Sequence, residues 1–362
     1  MNRKALWTAA LLALVVWLSA GPPSFSQGES LFATEAGEVF DSLETRTEPE
    51  TGQAYLDKRY TVLPGIRPAD VLADVSSGQR SGSASGASSK SPDKVLNEHI
   101  VRWIDSLASQ KGFESWSRAR WTVAPLGPGT HGWIVLLTDD DGLEAGYLIV
   151  SAAENGTLQL IEYGTGEHPL FSTRTLYRIL VQHAIIPSSM SYKTWLDTSE
   201  ARLQRFYTDA FHAVWTVPAG NNRILIDAKT GEIRTFRNYS PASASSLLRL
   251  HGAAFELIPG TPLEVPPHDP YEEISWLTRN ALPIRSYEEL IPYLAAGKSL
   301  TFVCECFDGR LTLPLSVTGA LRWTGGAAFI AFEQEGRRYV LLGAAVSLGK
   351  FYPTDGISSS FP

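Results

Sequence analysis

WIVLLTDDDGLEAGYLIVSAAENGTLQLIEY, Trp133 to Tyr163, is the stretch on which the fold turns. Three short apolar runs, Trp133 to Leu137, Tyr147 to Ser151 and Leu158 to Tyr163, are separated by Asp139-Asp140-Asp141-Gly142 and by Glu154-Asn155-Gly156. Runs this short, bounded by turn residues and joined by an Asn-Gly pair that adopts positive φ at little cost, predict an antiparallel meander. Upstream, Val95, Leu96, Ile100, Trp103, Ile104 and Leu107 recur at helical spacing after a start at Ser91-Pro92-Asp93, which predicts an amphipathic helix ending near Gly112.

Downstream the order helix-then-strands returns. Helices are expected over Thr173 to Ala184 and about Thr198 to Phe211, then strands over Phe211 to Val217, Arg223 to Asp227 and Glu232 to Phe236. A small polar stretch, Ser240 to Ser246, and a proline-rich one, Pro259 to Pro270, place a boundary between residues 238 and 270. Beyond it, short helices are expected over Tyr271 to Arg279 and Tyr287 to Leu294. Strands are expected over Leu300 to Phe307, Arg310 to Val317, Ala328 to Glu333 and Arg337 to Gly343. The fold class is therefore α+β, with helices packed on antiparallel meanders in two small domains, residues 92–237 and 271–362, joined by a linker over 238–270.

The N-terminus reads differently. Arg3 and Lys4 precede a run from Ala5 to Ala20 without charge, the pattern of a secretory signal peptide with cleavage after Ala20. The competing reading is an uncleaved membrane anchor, although sixteen helical residues span only about 24 Å against a hydrocarbon core of about 30 Å. Either reading exports the rest of the chain. Residues 21–91 read as a spacer whose end, SSGQRSGSASGASSKS from Ser76 to Ser91, is a flexible Gly/Ser tether.

With 44% hydrophobic residues and ten tryptophans the chain can bury sizeable cores, and a net charge of -7 sets nucleic acid aside as a partner. Its only cysteines, Cys304 and Cys306, would share one face of a strand, where an i to i+2 bridge is strained. They are expected to be buried and unreactive. The seven histidines, 99, 131, 168, 183, 212, 251 and 268, are scattered, so no metal site and no cofactor is expected. The acidic turn at Asp139 to Glu144 lacks calcium-loop spacing and reads as a solvated hairpin. Asn155-Gly156-Thr157 and Asn238-Tyr239-Ser240 match the glycosylation acceptor pattern.

No catalytic motif stands out. Were the chain an enzyme, the candidate residues would be His168 with Glu167, in the unusual loop Gly164-Thr165-Gly166-Glu167-His168-Pro169, and the thiols Cys304 and Cys306.

The stretch VWTVPAGNNRILIDAKTGEIRTF, Val214 to Phe236, resembles the end of a PepSY-type unit, with its strand, short turn and closing strand at Ile226-Asp227-Ala228-Lys229-Thr230-Gly231-Glu232-Ile233. In that turn Asp227 and Thr230 can cap the backbone and Gly231 can supply positive φ. Gly146 to Ala152, GYLIVSA, resembles a hairpin strand of secreted-peptidase propeptides, and the resemblance covers residues 92–237. It implies a non-catalytic module that restrains or chaperones a partner, commonly a secreted peptidase, or binds the cell envelope. A peptidase domain should follow such a propeptide, yet the last histidine, His268, lies upstream of both cysteines. The alternatives are a structural envelope or spore-surface protein, and a hydrolase whose site the fold assembles.

Overall fold

The computed structural model describes residues 60–62, 92–127, 131–153, 155–199, 202–219, 222–234 and 259–354. The signal segment, the Gly/Ser tether, the Asn238 acceptor pattern and most of the 238–270 linker lie outside them. The protein is α+β, and the described residues all fall within one compact unit.

The first helix, α1 (Pro92–Ala108), buries Leu96, Ile100, Trp103, Ile104 and Leu107, the stripe that the spacing marks out. A 3-10 turn (Glu114–Arg118) follows, sinking Trp116 into the core. A short strand, β1 (Tyr60–Val62), runs parallel to β2 (Arg120–Pro125). Then β3 (Gly132–Thr138), β4 (Glu144–Ala152) and β5 (Leu158–Thr165) form the expected meander. The acidic turn between β3 and β4 spends its chemistry on itself, since Asp139 Oδ1 accepts from the backbone N–H groups of Asp141 (3.0 Å) and Leu143 (2.9 Å).

Two helices follow, α2 (Thr173–Gln182) and α3 (Tyr192–Ser199). The helix expected over residues 198–211 is not there. Ser191 caps α3, accepting from Thr194 N–H at 3.2 Å, and Thr198 lies in its last turn, where its hydroxyl donates back to Thr194 O at 2.8 Å. Residues Gln204–Tyr207 instead form β6, because they find a partner strand in β7 (Ala213–Ala219). With β8 (Asn222–Asp227) and β9 (Ile233–Arg234) these make a four-stranded antiparallel sheet in chain order.

The C-terminal stretch supplies β10 (Leu263–Glu264), a 3-10 turn (Ile274–Leu277), α4 (Tyr287–Ala295), β11 (Leu300–Cys306), β12 (Leu311–Arg322), β13 (Ala328–Glu333) and β14 (Arg337–Leu341). It ends on a helix and strand that the sequence pattern does not announce, α5 (Leu342–Leu348) and β15 (Gly349–Pro353). Around Tyr271 to Arg279 only the single 3-10 turn forms, held by the Ser275 hydroxyl on Pro353 O at 2.9 Å.

Strands from the two stretches expected as separate domains, β2–β5 of residues 92–237 and β11–β15 of residues 271–362, meet in one eleven-stranded sheet of order β1-β2-β3-β4-β5-β14-β13-β12-β11-β15, with β10 on β12. The joint is three rungs long: Val340 opposite Glu162, Tyr339 opposite Tyr163 and Arg338 opposite Gly164. Alternation along the strands puts Tyr163 and Tyr339 on one face and Glu162 and Arg338 on the other. On the first face the two tyrosine rings stack at 4.7 Å, flanked by Phe113 and Phe329. On the second, a fully desolvated ion pair closes at 2.7 Å between Arg338 Nη2 and Glu162 Oε1. A polar linker marks where chain runs through water; it does not say whether strands on either side of it pair.

Candidate functional site

The site is built on the turn Asp227-Ala228-Lys229-Thr230-Gly231. Asp227 Oδ1 accepts from Lys229 N–H (3.0 Å) and Thr230 N–H (2.9 Å), and Gly231 takes φ 76°, as the chemistry of those residues requires. A Cβ at Gly231 would come within 2.7 Å of Ile179 Cγ1, so this turn lies tight beneath α2. Ala228 O accepts from Phe171 N–H at 3.0 Å, fixing the chain just before that helix. Lys229 is 2% exposed, and its ammonium donates to His168 O at 2.5 Å and Glu335 O at 2.9 Å. One side chain thus fastens three pieces: its own turn, the loop Gly164 to Pro169, and the turn between β13 and β14.

Burial pushes the Lys229 ammonium down to about 7, with Arg338 adding to the effect and the charges of Glu162, Glu335 and Glu333 opposing it. Behind Lys229 lies a closed polar network. Glu162 Oε1 accepts from Tyr147 Oη at 2.5 Å and from Arg338 Nε at 3.0 Å, and its Oε2 accepts from Tyr207 Oη at 2.7 Å. Arg338 also donates to Ala210 O and to Gln334 Oε1. Burial works against the Arg338 charge, but Glu162 and the tyrosines outweigh it and hold the guanidinium above its ordinary value. Burial, then the Glu162 charge, push both Tyr147 and Tyr207 well above the ordinary phenol value, so both stay donors. This network is sealed; it organises the site and does not face a ligand.

The face open to solvent is a groove of about 300 Å³ lined by Leu143, Glu144, Glu167, His168, Arg174, Thr175 and Arg178. Its three walls are the β3–β4 turn, the Gly164 to Pro169 loop and the first turns of α2. Ser172 caps that helix, accepting from Thr175 N–H at 2.9 Å and donating to Glu144 Oε2 at 2.6 Å. Burial raises the Glu144 carboxyl above its ordinary value, against the Ser172 hydrogen bond and the charges of Arg174 and Arg178. Arg174 and Arg178 stand four apart on α2, both exposed, and Arg174 reaches Gly142 O at 3.4 Å while lying over the Tyr192 ring at 5.7 Å. Leu143, 55% exposed, supplies an apolar contact beside these charges. Two carboxyls, two guanidiniums, an imidazole and an exposed leucine thus line one open surface.

Of the residues singled out from sequence, the structure brings Glu167 and His168 together in this groove. Cys304 and Cys306 are elsewhere, at the C-terminal end of β11, both fully buried and with their sulfurs 2.9 Å apart. Contact with Cys304, then burial, hold the Cys306 thiol well above its ordinary value. The histidine at that end is His212. Its Nδ1 faces Asp209 at 2.9 Å and its Nε2 accepts from Phe307 N–H at 2.8 Å, so both ring nitrogens are engaged. His268 is a strap: its ring joins Thr301 Oγ1 and Ser316 Oγ, both at 2.9 Å. Among the described residues no group of three or more His, Cys, Asp or Glu is placed to hold a metal ion.

Sequence reasoning missed Glu162, Arg338, Lys229 and the Arg174/Arg178 pair. A signal existed for the first two, since in the sequence each is a charge whose alternate neighbours are apolar, Leu158 and Leu160 before Glu162, and Val340 after Arg338. For Lys229 there was none, because a lysine in a turn is ordinarily solvated.

No family model matches the sequence, and no curated protein and no solved structure matches it. Fold and site together define an α+β protein in which one long sheet, antiparallel but for its β1–β2 pairing, carries a second small sheet and a charged surface groove.

Proposed function

We propose that this chain is an exported, PepSY-like binding module that holds a protein partner, a secreted peptidase or a component of the cell envelope, at the groove walled by α2 and the Gly164 to Pro169 loop. The observation that carries the reading is that the turn bearing the PepSY-like residues is also the foundation of the groove. Lys229 ties down His168, Ala228 ties down Phe171, and Gly231 seats α2. A restraining module needs such a rigid base under an adaptable polar surface, because interface side chains that are already positioned lose less entropy on binding.

Capture experiments test this with the full chain as bait and the extracellular fraction of its source as prey, comparing wild type with the Arg174→Glu/Arg178→Glu variant. Recovery of one peptidase by wild type, falling at least about tenfold in the variant at unchanged thermal midpoint, is expected, since charge reversal at an interface turns attraction into repulsion. Recovery of wall polymer alone would favour the structural envelope protein instead. Equal capture by both baits would remove the groove from the interaction. The hydrolase alternative gains if the purified chain cleaves a peptide or ester and His168→Ala abolishes the cleavage.

A further inference from the structure

Cys304 and Cys306 flank exposed Glu305 on β11, so strand alternation turns both thiols to the same buried side. Cα atoms two apart on a strand are separated by about 6.6 Å, inside the upper end of the window of about 4.4–6.8 Å that a disulfide tolerates. The sulfurs are already in contact.

Their place in the sheet matters as much as their distance. The β11–β15 ladder ends at Cys304 opposite Gly349, so Cys306 lies beyond the last rung on that side, while Leu311 pairs it on the other. The chain then turns through Phe307, Asp308 and Gly309 at φ 55°, 58° and 74°, with residues 308–310 exposed. Phe307 N–H is held by His212 Nε2, and His212 is held in turn by Asp209. Cys306 and Phe307 are both buried, and Phe307 also packs on the His212 ring at 4.9 Å, so the thiols meet an external reagent only when this strand end opens locally, next to the exposed turn at residues 308–310.

We propose that Cys304 and Cys306 are a redox-convertible pair that closes an intrastrand disulfide with an external small-molecule disulfide as oxidant. In the opened strand end one thiolate attacks the external disulfide, forming a mixed disulfide and expelling one external thiolate. The second protein thiolate then attacks the protein sulfur of that bond and expels the other. The two protein thiols are oxidised, the external disulfide is reduced to two thiols, and the two protons lost by the protein pass to them. With one residue inside the ring the bond is strained, and strained disulfides are the easily reduced, reversible ones.

The test uses the full chain, reduced and freed of reductant, in native buffer with glutathione disulfide, followed by acid quench, unfolding, alkylation with N-ethylmaleimide and intact mass measurement. Wild type is expected to lose two hydrogens, to carry neither maleimide nor glutathione, and to return to two alkylated thiols after dithiothreitol. Cys304→Ser and Cys306→Ser are expected to stop at a single glutathione adduct or a single maleimide. Wild type that keeps two alkylated thiols, that stops at the glutathione adduct, or that closes only when unfolded in guanidinium would overturn the proposal.

Discussion

Arg338 and Glu162 show how much one residue pair can decide. Each sits in an apolar strand, and each is tolerable inside only because the other is there, with Tyr147, Tyr207, Gln334 and the Ala210 carbonyl taking up the remaining hydrogen bonds. Arg338→Met strands the Glu162 charge and is expected to lower the unfolding free energy by about 3–5 kcal/mol, the usual cost of breaking a buried pair from one side. Adding Glu162→Gln should recover part of that loss, since the amide removes the stranded charge while keeping an acceptor for a tyrosine hydroxyl. Urea denaturation of wild type, single and double variants checks this. A double variant no more stable than the single would mean that the pair is not what the site pays for in desolvation.

At the scale of elements, the turn between β8 and β9 acts on its neighbours through Lys229. Unfolded, this lysine titrates near 10.5, and folded at about 7, so between those values the unfolded chain binds the extra proton. Stability contributed at this position therefore rises with pH across that window and is at its lowest below pH 7, where the buried ammonium is charged. Relative to Lys229→Met, wild type should gain up to about 1.4 kcal/mol per pH unit from pH 7 towards pH 10. Urea midpoints of the two proteins over that range measure the difference, and a difference independent of pH would show that Lys229 keeps an ordinary value. The strand and turn content of this region was legible in advance because the Asp227-to-Gly231 turn, with its Thr230-Gly231 pair, has a local conformational cause. The strand at Gln204–Tyr207 was not, because its residues form a strand only when β7 offers its edge.

For the molecule as a whole, the decisive feature is the three-rung joint between β5 and β14. It carries a tyrosine stack on one face and an ion pair on the other, so neither half of the chain completes its core without the other. Thermal or urea unfolding is therefore expected to be a single transition, with far-UV circular dichroism and tryptophan fluorescence giving coincident curves. The tryptophans lie on both sides of the joint, among them Trp103 and Trp133 before it and Trp323 after it, so separate unfolding of the two halves would split the fluorescence curve. Two resolved midpoints would restore the reading of two independent domains.

Local patterning determined the α+β class, the meander at Trp133 to Tyr163, the stripe of α1 and the capped turn at Asp227 to Gly231, because hydrophobic period and turn chemistry act over a few residues. Only the tertiary structure decided that strands from residues 92–237 and 271–362 share one sheet, that Lys229 is buried under His168, and that Cys304 touches Cys306 away from the groove. Those outcomes depend on which strand edges meet across long stretches of chain, and the free energy of such a meeting belongs to both edges at once rather than to either segment.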